Sequence, residues 1–554
     1  MLKIPVPKEL ARRWSRFALG AAVALGGVAA LPATAAASHS QVAIIQDGTD
    51  LTNPGAAMQA FRQLGANTVR VIVPWAAIAP SPNSTKKPKF TATDPNGYAA
   101  VNWAPYDNIV RAAQQYGLAV DFTVTGGAPR WAEGSKYLGN PGESLTFLAW
   151  QPNAADYGQF VQAVGTRYDG HFTPKGQSSP LPAVHFWAIY NEPNFGEDLG
   201  PQGSNDSTVA SGPAMFRGLL NAGWSALQKT GHAHDTILWG EFAAEGFEPG
   251  PYPKSTGGLP GWYGQTRPLL FLRDLYCVNS RFQELRGSAA KAIGCPTTSA
   301  ASRRFRSQNP ALFNATGVSD HPYPVNETPA SNAGNKVDFA RFNDLGNLEG
   351  ELDHLTKLYG SGKHFPIYNT EYGYITNPPQ AKHKPSYVSP ATAATYINWA
   401  EYLSWKQSRV ASYDQYLLAD PPPGLQAYSG FASGLETYAG KPKPGYDAFR
   451  LPVWMPSTSF SHTASEELWG DARPAPFMVK DGHGPQSVAV QLNGKTIQTV
   501  SLTSTSNGYF DLHLKFPSSG TVRLAYTYPS SDPLLPVNDL GQTVYSRSFT
   551  IKVH

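Results

Sequence analysis

Three stretches far apart in the chain carry side chains suited to acid–base work on a single substrate. Asn191-Glu192-Pro193 closes the apolar run Val184 to Tyr190, so an amide and a carboxyl stand side by side where a buried strand ends. Glu371 closes a second run, Pro366-Ile-Tyr-Asn-Thr-Glu371, and Arg70 falls late in a third, Asn67 to Pro74. A protonated carboxyl can protonate a leaving oxygen, a charged one can attack the carbon left behind, and an amide can grip a neighbouring hydroxyl. That combination suits cleavage between sugars. Retaining glycoside hydrolysis sets its two carboxyl groups about 5 Å apart, one as acid/base and one as nucleophile. An arginine beside Glu371 favours its charged form, whereas a less polar setting and a neighbouring negative charge let Glu192 keep a proton. Each residue also has a plainer reading: Pro193 as a strand stop, Glu371 as a buried acid paired with Arg70 for structure alone.

The chemistry requires these residues to meet, and the order of elements allows it. Between residues 40 and 455 short apolar runs alternate with helical patterns, the rhythm of a parallel sheet with helices outside it. Val42–Ile45, Asn67–Pro74, Ala119–Val124, Val184–Tyr190, Thr236–Trp239, Gly317–Tyr323, Pro366–Glu371 and Ser412–Leu418 read as eight strands. Helical patterns cover Pro54–Leu64 (with Asn53 as its cap), Pro105–Tyr116, Ala154–Tyr168, Gly212–Thr230, Leu348–Tyr359, Pro390–Gln407 and a short stretch at Tyr446–Phe449. Eight such units predict an α/β fold, a (β/α)8 TIM barrel, in which the strand ends bearing Glu192 and Glu371 open onto one mouth. A doubly wound sheet is the alternative, but no Gly-rich phosphate loop follows any strand. After Pro456 the pattern turns to short alternating runs, from Ser487–Leu492 to Ser548–Val553, with Asn493-Gly494 and Asn507-Gly508 as hairpin signals. This predicts a small antiparallel β-sandwich, Ig-like, over 456–554 after a barrel over 38–455.

With strand positions assigned, the site residues resemble those of clan A of the glycoside hydrolases, retaining (β/α)8 enzymes with Asn-Glu-Pro at strand four and Glu at strand seven. Tyr190-Asn-Glu-Pro-Asn194 and Pro129-Arg-Trp131 are most similar to glycoside hydrolase family 39, then to family 5. The resemblance implies Glu192 as general acid/base, Glu371 as nucleophile, Asn191 on the substrate 2-hydroxyl and Arg70 orienting Glu371. It also implies His321 and Tyr323 as a pair beside the nucleophile. Strand eight departs from the pattern: Gln415 and Tyr416 stand where many members present a tryptophan to the sugar. Trp75, Trp131 and Trp262 fall in predicted loops after strands two, three and five, where they serve either as sugar platforms or as packing. Glu241 and Glu245 follow strand five and read as solvated loop charges, with subsite acids as the alternative, and His185 reads as a core histidine.

Bulk properties narrow the classes. Residues 1–37 carry Lys3, Lys8, Arg12, Arg13 and Arg16, then a small apolar stretch, then Ala35-Ala36-Ala37, the pattern of a bacterial secretory signal peptide. Without that segment the formal charge of +4 disappears, so no basic surface for nucleic acid or anionic lipid is expected, and no membrane attachment after cleavage. Cys277 and Cys295 are the only cysteines, and export permits one disulfide between them, contributing about 3 kcal/mol. No metal site or cofactor is expected, since His232-Ala-His234 lacks a partner cluster. The expectation is a secreted retaining glycosidase whose partner is a carbohydrate. The alternative is a noncatalytic carbohydrate-binding protein on a degenerate barrel.

Overall fold

The computed structural model describes residues 38, 40–48, 52–134, 149–203, 209–247, 264–331, 337–376, 387–422 and 431–554; the leader-like segment 1–37 and Trp262 lie outside them. Eight strands, β1 (Val42–Gln46), β2 (Thr68–Pro74), β3 (Ala119–Thr125), β4 (Phe186–Ile189), β5 (Thr236–Ala243), β6 (Gly317–His321), β7 (Ile367–Asn369) and β8 (Val410–Tyr416), form a closed parallel barrel. Closure runs through β1, which pairs Ile45 with Val69 on one side and Ile44 with Asp414 on the other. The β-branched runs explain the strands, and alternation divides their side chains between two cores. Val69, Val71, Val73, Val120, Phe122 and Val124 join the large cluster shared with the helices. Ile44, Phe186, Ala188 and Leu238 form a small apolar plug inside the barrel. Above that plug the lining turns polar, with Arg70 in register with Asp121.

β5 contains an irregularity that shapes the site. Trp239 pairs with Val318 but Phe242 pairs with Asp320, so β5 spends three steps where β6 spends two. The extra residue is accommodated at Gly240 (φ +121) and Glu241 (φ +48). A Cβ at Gly240 would stand 2.4 Å from the Ser319 carbonyl oxygen, so only glycine fits there. The run read as ending at Trp239 therefore continues through a bulge to Ala243.

Most helix boundaries lie within three residues of the sequence reading, and two helices show where the reading and the structure part. Asn53 holds the N-cap position of helix Pro54–Leu64, yet its side chain makes no capping hydrogen bond; Pro54 and Gly65 (φ +82) delimit the helix instead. The helix read as Pro105–Tyr116 begins earlier, at Ala100, and keeps Pro105 inside it. Trp103, 1% exposed, anchors that added turn in the core.

The C-terminal part is a two-sheet sandwich. One sheet has the order β10 (Ser459–Phe460), β17 (Phe549–Val553), β15 (Gly520–Thr527), β12 (Gln486–Leu492), β13 (Lys495–Leu502), with β16 (Thr543–Tyr545) also on β15. The other is β14 (Tyr509–Leu514), β11 (Glu466–Asp471), β9 (Val453–Trp454). Pairing is antiparallel apart from β10 on β17. Asn493-Gly494, both at positive φ, make the β12–β13 hairpin as expected. Asn507-Gly508 do not make a hairpin, because β13 and β14 belong to different sheets and the segment crosses between them.

The sandwich is fastened to helix Pro390–Trp405 of the barrel. Trp454 stacks on Trp399 at 5.2 Å, and Trp469, fully buried, sets its ring against Tyr402 and Trp405. Within this seam Arg473 pairs with Glu401 at 2.6 Å, both side chains 1% exposed, and donates to the Phe449 carbonyl. Replacing Arg473 by Ala leaves a buried carboxylate without its cation, a change that costs about 3–5 kcal/mol. Urea denaturation of the full chain should register that loss. On the opposite stretch, Cys277 and Cys295 are joined in a disulfide with Cα atoms 5.6 Å apart, between β5 and β6.

Candidate active site

The C-terminal ends of β2, β4, β5, β6 and β7 bring five charged or ionisable side chains together. Arg70, entirely buried, sends Nη1 to Glu371 Oε1 at 2.6 Å and to Gln46, and Nη2 to Asn191 Oδ1 at 2.9 Å and to Glu241. His321 Nδ1 lies 2.9 Å from Glu192 and 3.6 Å from Glu371, while Nε2 lies 3.1 Å from Glu241. Tyr323 donates its hydroxyl to Glu371 Oε2 at 3.0 Å. The nearest acceptor atoms of Glu192 and Glu371 come within 4.8 Å of each other. Only these two carboxylates reach solvent, with side chains 18% and 11% exposed; Arg70, His321 and Glu241 stand at 0%.

Backbone geometry aims Glu192. Tyr190 and Glu192 adopt φ of +74° and +36°, in the left-handed region that non-glycine residues enter only when their surroundings hold them. The holds are visible: the Asn191 N–H donates to the Thr125 hydroxyl, and the Glu192 N–H donates to the Glu241 carbonyl. Asn194, fully buried, straps the same turn to Ala243 and to the Thr266 carbonyl. With Oδ1 taken by Arg70, the Asn191 amide presents its NH2, one bond of which goes to Asp198.

Charges follow from these contacts. Burial pushes the Glu241 carboxyl up, but Arg70 and His321 outweigh it and bring it down to about 2. Burial likewise opposes a charged His321, yet Glu371, Glu192 and Glu241 hold the imidazole well above its usual range. Deeper in the barrel, burial pushes Asp121 and Asp414 far up, with Arg70 opposing in each case.

The atoms of Glu192, His321 and Glu371 lie close enough to invite a metal ion. Their chemistry does not fit one. Both ring nitrogens of His321 face carboxylate oxygens, so both carry protons and neither lone pair is free, and the Arg70 guanidinium stands against the same ring at 3.5 Å.

The structure thus gathers Asn191, Glu192, Arg70, His321, Tyr323 and Glu371, and corrects other expectations. Trp75 is not a loop platform: it is 1% exposed and stacks on Phe160 in the core, out of reach of a sugar. Trp131 is half-buried, its edge on Trp75 and its indole N–H on the Pro80 carbonyl. Gln415 is buried on the outer face of β8, bonded to the Ser433 carbonyl, because alternation sends Asp414 and Tyr416 inward. Tyr416 instead meets Tyr323 and Phe431 edge-on beside Glu371. His185 is not a core residue; its side chain is 73% exposed and pairs with Asp235. Glu245, partly exposed, pairs with Arg341. Glu241 is the residue that sequence reasoning missed, since it is a buried acid and not a solvated loop charge. The available signal was Gly240 inside a strand pattern, which marks a bulge.

Fold and site together define a closed parallel barrel with paired carboxylates at its C-terminal mouth. No protein-family model matches the chain, and no curated protein matches it. Among solved structures it is similar to a family 39 glycoside hydrolase from the gut symbiont Bacteroides cellulosilyticus WH2, with 13% identity over 86% of this chain and 81% of that one and a TM-score of 0.45. A glucosidase from Croceicoccus marinus gives 12% identity over 83% and 90%, with a TM-score of 0.42. A family 1 β-glucosidase from Thermotoga maritima gives 13% over 72% and 86%, with 0.44. The reading of the site rests on its own geometry.

Proposed function

We propose that the chain is a secreted retaining glycoside hydrolase that cleaves O-glycosidic bonds of an oligosaccharide or polysaccharide by double displacement. One observation carries the reading: the two mouth carboxylates, an oxygen of one within 4.8 Å of an oxygen of the other, stand near the close spacing of about 5–5.5 Å used for retention and short of the roughly 6.5–9.5 Å used for inversion. Glu371, held by Arg70 on one oxygen and Tyr323 on the other, attacks the anomeric carbon. Glu192 gives its proton to the departing oxygen, and a glycosyl ester forms on Glu371. Glu192, now a carboxylate, takes a proton from water as the water's oxygen displaces Glu371 and restores both groups. The Asn191 amide, its Oδ1 held by Arg70, is assigned to the sugar 2-hydroxyl. The second reading, a sugar-binding protein on a degenerate barrel, is disfavoured by the completeness of this machinery.

Residues 1–37 act as the secretory leader, 38–455 as the catalytic barrel and 456–554 as an Ig-like accessory module. Burial of Trp469 against the barrel supports a packing role for that module over a sugar-binding one. Among the described residues, no helix is long and apolar enough to cross a membrane. The deciding experiment is hydrolysis of a panel of aryl glycosides with the first-formed anomer followed by proton NMR. Retention of configuration is expected. Inversion, or binding without turnover across the panel, would overturn the reading.

A further inference from the structure

Glu241 belongs to neither proposed catalytic role and is shielded from any substrate, yet it contacts the groups that hold both mouth carboxylates. Its carbonyl accepts the Glu192 N–H at 3.1 Å. Oε2 accepts from Arg70 and faces His321 Nε2 at 3.1 Å, and Oε1 accepts from the Thr370 hydroxyl at 3.0 Å, one residue before Glu371. Its own N–H is held by the Ser319 hydroxyl at 3.0 Å. We propose that Glu241 is a positioning residue that acts through Arg70 and His321 to fix the two mouth carboxylates relative to each other and to set the protonation of the pair formed by Glu192 and His321.

The argument is one of charge and geometry. Arg70 and His321 are two cations packed 3.5 Å apart in a site closed to water, an arrangement that needs a buried anion between them. Glu371 and Glu192 cannot supply it permanently, because the reaction proposed for them neutralises each in turn. Glu241 keeps its charge throughout, being held at about 2 by Arg70 and His321 against the effect of burial. The groups facing His321 are Arg70 on β2, Glu192 at the exit of β4, Glu241 on β5, Asp320 beside it on β6, Glu371 after β7 and Asp414 on β8. Burial pushes Asp320 and Asp414 well up, against the charged form, whereas Arg70 and His321 draw Glu241 down between them, so Glu241 is the standing negative charge on the inner side of the ring.

The inference rests on the glycosidase reading, and its test separates the two. Removing the charge with Glu241→Gln lowers the proton affinity of every nearby group. Both limbs of the kcat/KM profile on an aryl glycoside should then move to lower pH, by about one unit or more. kcat at the optimum should fall with KM little changed, since no substrate contact is lost. Glu241→Asp keeps the charge on a shorter arm and should restore the limbs while kcat stays low. A uniform loss of rate with unmoved limbs in Glu241→Gln would reduce Glu241 to a structural strut and overturn the proposal. A second readout needs no turnover: the His321 imidazole nitrogen resonances, assigned by their loss in His321→Gln, should titrate at lower pH in Glu241→Gln than in the wild type. If the wild type hydrolyses nothing but that titration moves, the glycosidase reading fails and the positioning role stands. If the wild type hydrolyses and the titration does not move, the positioning role fails alone.

Discussion

Glu371→Ala is expected to lower kcat by about 10^4-fold or more, the scale at which the removal of a nucleophile is felt when the remaining binding and acid groups are intact. Glu371 supplies the atom that bonds to the sugar, and no described neighbour replaces it: Tyr323 and Arg70 donate hydrogen bonds to its oxygens and accept none from a reacting carbon. Shortening the side chain opens space beside the anomeric position, so azide should recover part of the lost rate. It then attacks once, not twice, and the glycosyl azide should have inverted configuration. Thermal melting of the variant separates loss of chemistry from loss of fold, since Arg70 keeps Glu241 and Asn191 as partners. A loss below tenfold, or azide product of retained configuration, would remove Glu371 from its role.

Glu192→Ala should divide substrates by their leaving groups. The proton that Glu192 delivers matters in proportion to how poorly the departing oxygen bears charge, and general acid catalysis supplies about 10^2- to 10^4-fold. Losses near the top of that range are expected for natural glycosides and within about tenfold for dinitrophenyl glycosides, whose departure needs no proton. With such a substrate the glycosyl ester on Glu371 should accumulate, and azide should release it as the product of retained configuration. Equal losses on both substrate types would show that Glu192 does not deliver the proton. His321 contributes to this contrast, because its Nδ1 reaches both carboxylates and loses its nearer partner in the variant.

Much of this site was legible in the chain. β-branched runs at regular spacing fixed eight strands, and carboxylates at the ends of the fourth and seventh had to share a mouth once the barrel closed. Arg70, late in the second strand, was named through the resemblance to clan A, and alternation within Asn67–Pro74 is what turns it inward. What escaped depended on facing. Gln415 and Tyr416 are neighbours, and a strand of uncertain register offers either one to the site; the pleat chose Tyr416. Trp75 lies just past β2, where a loop residue would be free to meet a sugar, but a short helical turn at Trp75–Ile78 folds its ring into the core. Glu241 escaped because its strand was ended at Trp239, which left Gly240 and the acid after it in a loop. Read as a stop, that glycine put the next residue in solvent; as a bulge, it put a carboxylate at 0% exposure between two cations.

The bulge in β5 also bears on how such chains are to be aligned and altered. Trp239 and Phe242 both pack among the helices, so Gly240 and Glu241 together occupy the one inward position between them. Deleting Gly240 would restore regular alternation with the carboxylate still inward and Phe242 still among the helices, but it would remove the φ +121° step that sets the carboxylate's backbone, so its reach to Arg70 and His321 should change. A relative without the insertion could therefore keep an acid at this inward position on a differently placed backbone. An alignment that matched the inward positions would leave a one-residue gap beside them, so the length of β5 between Trp239 and Phe242 is the character by which to sort relatives.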